Sequence, residues 1–409
     1  MIAGRDYTGR AMAPSPPDRA ARRAAAQRRR ARRRRQVALL VLAGALVAAL
    51  LIWTALGSSG GAHRSSTSAT RTSPPARTTT AAAAPAVSAS PAARVTVAAV
   101  GDTMMGSPPY GLPPDNGRYL FSAVKPFLVG NVVIVDQEGT FTETGPSKCG
   151  PSSTDCFAFR SPPAYAANLT AAGFTVANLA DNHTFDFGAI GLANTVAALN
   201  AVRLPHTGLP DQFTIQHVGP TSVAVLGFAP YNWCANSLDL PGVRALVRRA
   251  RHAADVVVVY FHAGHQGADA VHVGPGPEYV DGNPQGDVQQ FAHTAVDAGA
   301  ALVVGTGPHV LRGVQFYHGH MIAYSLGNFV GYRGFGLGGN LSTSAVLQAT
   351  VTADGHFVAA RLVPVELDGN GVPAPGGQGI PLVQTVSRQD FGATAARISD
   401  AGVISPPAA

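Results

Sequence analysis

The residues best able to do chemistry in this 409-residue chain stand at the ends of apolar runs, most densely at 174–188, FTVANLADNHTFDFG. The apolar start of that stretch reads as a buried strand. Asp181, Asn182, His183 and Asp186 then sit at its C-terminal mouth, where open α/β sheets place their ligands. These residue types suit two chemistries. They can offer oxygen and nitrogen donors to a hard or borderline cation, or pair an imidazole with a carboxylate for proton transfer, His183 being oriented by Asp186 or Asp181. The plainer role is an Asx turn that caps a helix expected over 187–201.

Four other runs end in the same way. Residues 94–100 alternate and then turn wholly apolar before Gly101 and Asp102, which places Asp102 at a strand terminus where glycine lets the backbone turn. Residues 131–135 lead to Glu138, and 300–304 lead through Gly305 and Gly307 to His309. The most strand-like run, 255–261, ends in His262 and His265, two imidazoles at a spacing that can converge on one metal. Further strands are expected at 221–228, 321–324, 345–351 and 357–365, with helices at 118–129, 163–172, 187–201, 241–254 and 287–298. Strands alternating with helices in this order indicate an α/β domain. Donors at five strand ends form the pattern of a metal-dependent hydrolase, in which a cation polarises an oxygen and activates water.

The flanking segments are of another kind. Residues 1–36 hold twelve arginines and no apolar periodicity, and form a basic tail that cannot build a core. Residues 37–56 carry no charge and are long enough to span a bilayer as one helix, with a cleaved signal peptide as the rival reading. The positive-inside rule keeps the arginines cytoplasmic and puts the rest of the chain outside. Residues 57–93, rich in Ser, Thr, Pro and Ala, read as a flexible stalk, 94–366 as one domain, and 367–409 as a loosely attached Gly/Pro-rich extension. The chain's +7 charge comes from the first 56 residues, whose twelve Arg and two Asp sum to +10. The remaining −3 excludes nucleic acid as a partner by bulk charge. Cys149 and Cys156 enclose a short loop that an oxidising exterior lets close as a disulfide, and Cys234 lacks a nucleophile's local signature.

The segments AAVGDTMMG, QEGTFTE, ANLADNHTFDFG, VYFHAG, GTGPHV and IAYSLGNFV, in that order over residues 95–330, resemble the CapA-type family of capsule and poly-γ-glutamate synthesis proteins. The resemblance implies a fold similar to the calcineurin-like metallophosphoesterases, a four-layer α-β-β-α sandwich of two sheets flanked by helices. It also implies roles. Asp102 and His309 would hold one metal, Glu138 would bridge, Asn182 and His262 would hold a second, and His183 would donate a proton. Mn²⁺ or Zn²⁺ suits such mixed donors better than Ca²⁺, with one or two ions held. The expected partners are an anionic polymer such as poly-γ-glutamate or a cell-wall glutamyl peptide, the membrane, and capsule-synthesis membrane proteins. Three activities follow from the likeness: a membrane-anchored hydrolase, a non-catalytic polymer-binding export factor, or a metal-dependent phosphoesterase. The chain departs from the family at Gly307, where a histidine is expected, and at Ala263 and Gln266. His265 is the residue left to make up a missing donor.

Overall fold

Alternation along the strands decides which layer each side chain enters. In the strand Arg94–Met104, Val95, Val97 and Ala99 point into one core while Ala98 and Val100 point into another. The strand Val256–His262 divides in the same way, with Val256, Val258 and Tyr260 inward and Val257, Val259 and Phe261 outward. A strand apolar on both faces must be covered on both. The two inward sets meet between two sheets, and the outward sets are covered by helices.

The chain is described here from a computed structural model, covering residues 93–150, 153 and 156–408, all within the compact unit Ala86–Ala409. The first sheet runs, in spatial order, Arg397–Ile398, Val403–Ser405, Phe357–Leu367, Thr343–Thr352, Arg94–Met104, Val132–Gln137, Val176–Asn178 and His206–Thr207. The last four are parallel, and Asn328–Gly331 pairs alongside the end of Arg94–Met104. The second sheet runs Val314–Tyr317, His320–Ala323, Leu302–Thr306, Val256–His262, Thr221–Phe228 and Thr214–Val218, parallel through its centre. Helices Ala166–Ala172 and Gly188–Ala201 cover the outer face of the first sheet. Leu240–Ala253 and Val288–Asp297 cover that of the second. The mixed α/β class expected from the sequence is the one that forms.

Three expectations are corrected. No α-helix forms over 118–129: Pro126 has no N–H to give, and the segment closes in short turns such as Ser122 on Tyr119 and Phe127 on Val124, with a 3₁₀ turn at Lys125–Phe127. Asp102 does not end its strand, which continues to Met104. Gly101 is instead required by a close approach, because a Cβ there would lie 1.7 Å from the Gly327 carbonyl oxygen. The segment from residue 367 onward is integral to the fold. Its helix Gly379–Phe391 sends Ile380 and Val383 into the core between the sheets, where Ile404 joins them. Spacing by three hides this apolar face among Gly and Pro.

Cys149 and Cys156 are joined, and Cys234 is free and buried. The basic tail, the apolar span and most of the stalk lie outside the described residues. Among the described residues no helix is long and apolar enough to cross a membrane. If the C-terminal helix is part of the core, Ile380→Ala should lower unfolding free energy by about 2–5 kcal/mol. Urea denaturation of the full chain reads this, and a change under about 0.5 kcal/mol, typical of surface sites, would restore the view of a loose extension.

Candidate metal centre

Strand register gathers the carboxylates. Asp102 lies opposite Asp136, which lies opposite Asn178, in neighbouring strands of the first sheet. Thr306 lies opposite His262 in the second. The parallel strands of both sheets therefore end at one place, and Tyr260 joins the sheets beneath it by donating to the Val100 carbonyl at 2.5 Å. Glu138, just past its strand, is held by its N–H on Thr103 O at 3.0 Å.

Three donor groups form there, in each of which the ligating atoms all lie within 4.8 Å of one another: Asp102, Glu138 and His309; Asp102, Asp136 and His262; Glu138, Asp181 and His262. All four carboxylates are at most 1% exposed. His262 presents Nδ1 to Asp136 Oδ2 at 2.9 Å, Asp181 Oδ2 at 3.0 Å and Asp102 Oδ1 at 3.4 Å. His309 sets Nδ1 2.8 Å from Asn328 Oδ1 and 3.0 Å from Asp102 Oδ2, leaving Nε2 toward Glu138. Its backbone has φ of 64°, a strained value for a non-glycine residue and of a kind that clusters at functional sites. The supporting shell is polar. Asp102 Oδ1 accepts from Thr306 Oγ1 and from Gly307 N at 3.2 Å, and Asn178 Nδ2 donates to Asp136 Oδ1 at 2.5 Å.

Several buried atoms have no partner of hydrogen-bonding geometry: Asp102 Oδ2, both oxygens of Glu138, Asp181 Oδ2, Asn182 Oδ1 and His262 Nε2. Buried polar atoms are nearly always paired, because leaving one unpaired costs about 1–3 kcal/mol. Oxygen and imidazole atoms left bare together are what a divalent cation satisfies, and the residues fit one. His262 also has the arrangement usual for a metal-binding histidine, with one ring nitrogen on a carboxylate and the other bare.

Charge accounts for the titration of the metal-free cluster. Burial alone would raise Asp102, but the His309 and His262 rings hold it far below the ordinary carboxylate range. Burial pushes Asp136 up to about 8, with His262 opposing. Burial, with the Asp102 and Asp181 charges, holds Glu138 well above its usual value. Burial also opposes a charged His262, yet Asp181, Asp102 and Asp136 prevail and raise it well above the usual imidazole value.

His183 is set on the cleft side of this cluster. Its Nδ1 is 2.7 Å from Asp186 Oδ2, and its Nε2 is 3.7 Å from Glu138 Oε1. Burial lowers its pKa, against the opposing pull of Asp186. The capping role does not hold for Asp186, since the helix Gly188–Ala201 has no side-chain cap. Asp181 makes the Asx turn, accepting from His183 N at 2.5 Å.

The sequence-derived residues Asp102, Glu138, His262, His309 and His183 are brought together, and Asn182 directs a bare oxygen into buried space. His265 stands apart: it is exposed, with Nδ1 2.9 Å from Tyr279 O. Sequence reasoning omits Asp136 and leaves Asp181 outside the ligand sets implied by the resemblance. The available signal was alternation, because Asp136 precedes Glu138 by two residues and so shares its side of the strand. Gly307 cannot be exchanged freely for the expected histidine. Its φ is 108°, and a Cβ there would lie 2.8 Å from Ala263 N.

Residues 96–333 match the family model described as bacterial capsule synthesis protein PGA_cap. The chain is 34% identical over 179 residues to the PGA biosynthesis protein CapA of Bacillus subtilis (strain 168), covering 40% of this chain and 44% of the relative. It is 32% identical over 225 residues to the capsule biosynthesis protein CapA of Bacillus anthracis, covering 50% of each. The chain thus spans about half the length of the curated relatives it matches. Among solved structures it is similar to a 5'-nucleotidase precursor from Thermus thermophilus, with 13% identity and a TM-score of 0.38 over 66% of this chain and 54% of that one.

The charge of the cluster predicts an unusual pH response. Asp136, Glu138 and His262 bind protons more tightly folded than unfolded, so their stabilisation is present at low pH and fades as pH rises; His183, lowered, opposes them in part. Metal-free full chain should therefore lose several degrees of melting temperature between about pH 5 and 8. Mn²⁺ or Zn²⁺ should reverse the loss, and Asp102→Ala should abolish the reversal. A melting temperature that rises with pH in metal-free protein would contradict this account of the cluster.

Proposed function

The chain belongs to the bacterial capsule synthesis family PGA_cap, and from that membership we propose that it is a membrane-anchored, extracytoplasmic metallohydrolase of capsule or poly-γ-glutamate synthesis. The observation that carries the reading is the set of bare buried donors opening, past His183, onto a cleft of about 310 Å³. When bound, a divalent cation would polarise an acyl or phosphoryl oxygen and lower the pKa of water. His309, Glu138 and Asp102 are the residues proposed to hold it, with Asp181, Asn182 and His262 beside them for a second ion. The chain's own groups supply the rest. His183, at the mouth of the cleft, gives its Nε2 proton to the leaving group as an imidazolium, the form that Asp186 on Nδ1 favours against burial. Phe159 and Phe335 wall the cleft beside His183 and His309.

The cleft favours cutting an amide over gripping a polyanion. Its lining is Phe157, Phe159, Phe335 and Leu341 around Glu138 and the two imidazoles, with no lysine or arginine among the described residues. Amide links and methylenes suit the apolar walls, and the carboxylates of a glutamyl chain would stay in water. This weakens the reading as a non-catalytic polymer-binding export factor. It also weakens the phosphoesterase reading, for which a cationic phosphate pocket is the usual device. Outward topology is proposed from the arginine block and apolar span, and the Cys149–Cys156 disulfide, a bond typical of oxidising compartments, supports it.

The test is chain-length analysis of poly-γ-glutamate incubated with detergent-purified full chain and Mn²⁺ or Zn²⁺. Shortening is expected, and His183→Ala should slow it about 10²–10⁴-fold, the usual worth of a general acid, while leaving metal uptake intact. Metal uptake with no shortening would favour the export factor. Hydrolysis of a phosphodiester alone would favour the phosphoesterase. For topology, protease added to intact cells should remove the outer domain, and its survival would reverse the proposed orientation.

A further inference from the structure

The loop between the short strands Thr140–Phe141 and Arg160–Ser161 touches the His183–Asp186 pair from both of its limbs. From the first limb, Lys148 donates its backbone N–H to Asp186 O at 2.7 Å, and its Nζ lies 2.5 Å from Asp186 Oδ1 and 3.4 Å from Asn182 O. From the second limb, Phe159 donates its N–H to Asp186 Oδ2 at 2.6 Å, and its ring lies 4.3 Å from that of His183. The Cys149–Cys156 bond ties limb to limb, immediately after Lys148 and three residues before Phe159. Asp186 is fully buried: His183 and Phe159 meet its Oδ2, Lys148 reaches Oδ1 as an ion pair, and Lys148 Nζ also lies 3.4 Å from His183 Nδ1. With Asp186 fixed, the imidazole has one orientation, Nδ1 inward and Nε2 toward Glu138.

We propose that this disulfide-closed loop is a positioning element for His183, with Lys148 as the positioning residue that locks Asp186 in place. The inference rests on the proposed role of His183 as proton donor, but it makes a claim about geometry that can be read without any activity. Closing a loop removes chain entropy that would otherwise favour the open state. The covalent tie therefore keeps two weakly anchored limbs on a buried carboxylate. Lys148 is partly exposed, and alone its ion pair would be worth little. Its contribution comes from meeting a fully buried oxygen at the end of a tethered limb.

The experiment is carbethoxylation of histidines in the full chain by diethyl pyrocarbonate, followed by peptide mapping, for wild type, Lys148→Met, Lys148→Arg and the double variant Cys149→Ser/Cys156→Ser. His309 serves as the internal reference. In Lys148→Met and in the double serine variant, His183 should react about tenfold faster than in wild type, as expected of a locally opened segment. His309 should be little changed, metal uptake should be retained, and Lys148→Arg should restore the wild-type rate. Unchanged reactivity of His183 in both variants would overturn the proposal. Equal acceleration of every histidine would overturn it too, since the loop would then support the whole fold. If His183 becomes accessible as expected but wild type hydrolyses nothing, the positioning claim stands and the hydrolase reading fails.

Discussion

Four carboxylates buried side by side are the constraint on which this structure turns. Asp102, Asp136, Glu138 and Asp181 are withdrawn from water, where each ion costs several kcal/mol even after relaxation. Positive charge at close range or protonation of the carboxylates makes such a cluster tolerable. His262 faces three of them, which favour its charged form, and His309 faces two. The bare oxygens show that imidazoles alone do not complete the account. A site with this composition could hold a divalent cation, and the parallel strands at the centres of the two sheets are the means of bringing the donors to one point.

That convergence leaves the backbone little freedom. Gly101 admits the Gly327 carbonyl against the strand that bears Asp102, and Asp102 N donates to that same carbonyl at 3.0 Å. Gly307 donates to Asp102 and turns the chain at positive φ toward His309, itself left-handed. Where the resemblance led a histidine to be expected, Gly307 gives its N–H to Asp102, and Asp136 and Asp181 stand on the other side of the cluster.

Most of the fold was legible because burial on two faces writes itself as apolar runs, as in VVVVYFH and VTVAAV. The donors at their ends were legible for the same reason: a polar residue directly after such a run is conspicuous. What could not be read were features set by partners far along the chain. Alternation puts Asp136 on the side of Glu138, but it is the register with Asp102 and Asn178 that brings it to the cluster. The helix over 118–129 failed at a single proline. The C-terminal helix was obscured because composition was weighed over the segment as a whole, when Ile380, Val383 and Val386, buried at helical spacing, mark its inner face. His265 illustrates the converse error, a residue of the right type whose loop is drawn away to Glu278 and Tyr279.

The site divides its labour between two kinds of scaffold. Asp102, Asp136 and His262, among the proposed ion donors, stand in strands fixed by ladders of hydrogen bonds, where displacement would disturb both sheets. His183 comes from a turn, and its orientation is set by Asp186 and by a loop that no sheet restrains apart from a two-residue pairing. Rigid placement suits groups that must hold charge against repulsion, since a small shift there forfeits a large electrostatic term in a low-dielectric interior. The proposed proton donor needs only one correct orientation, which a buried carboxylate held by the Phe159 N–H and the Lys148 ion pair can supply. The covalent closure of the loop is then the economical solution. It gives a surface segment enough persistence to serve a buried group, and it does so with a bond that an oxidising surrounding maintains.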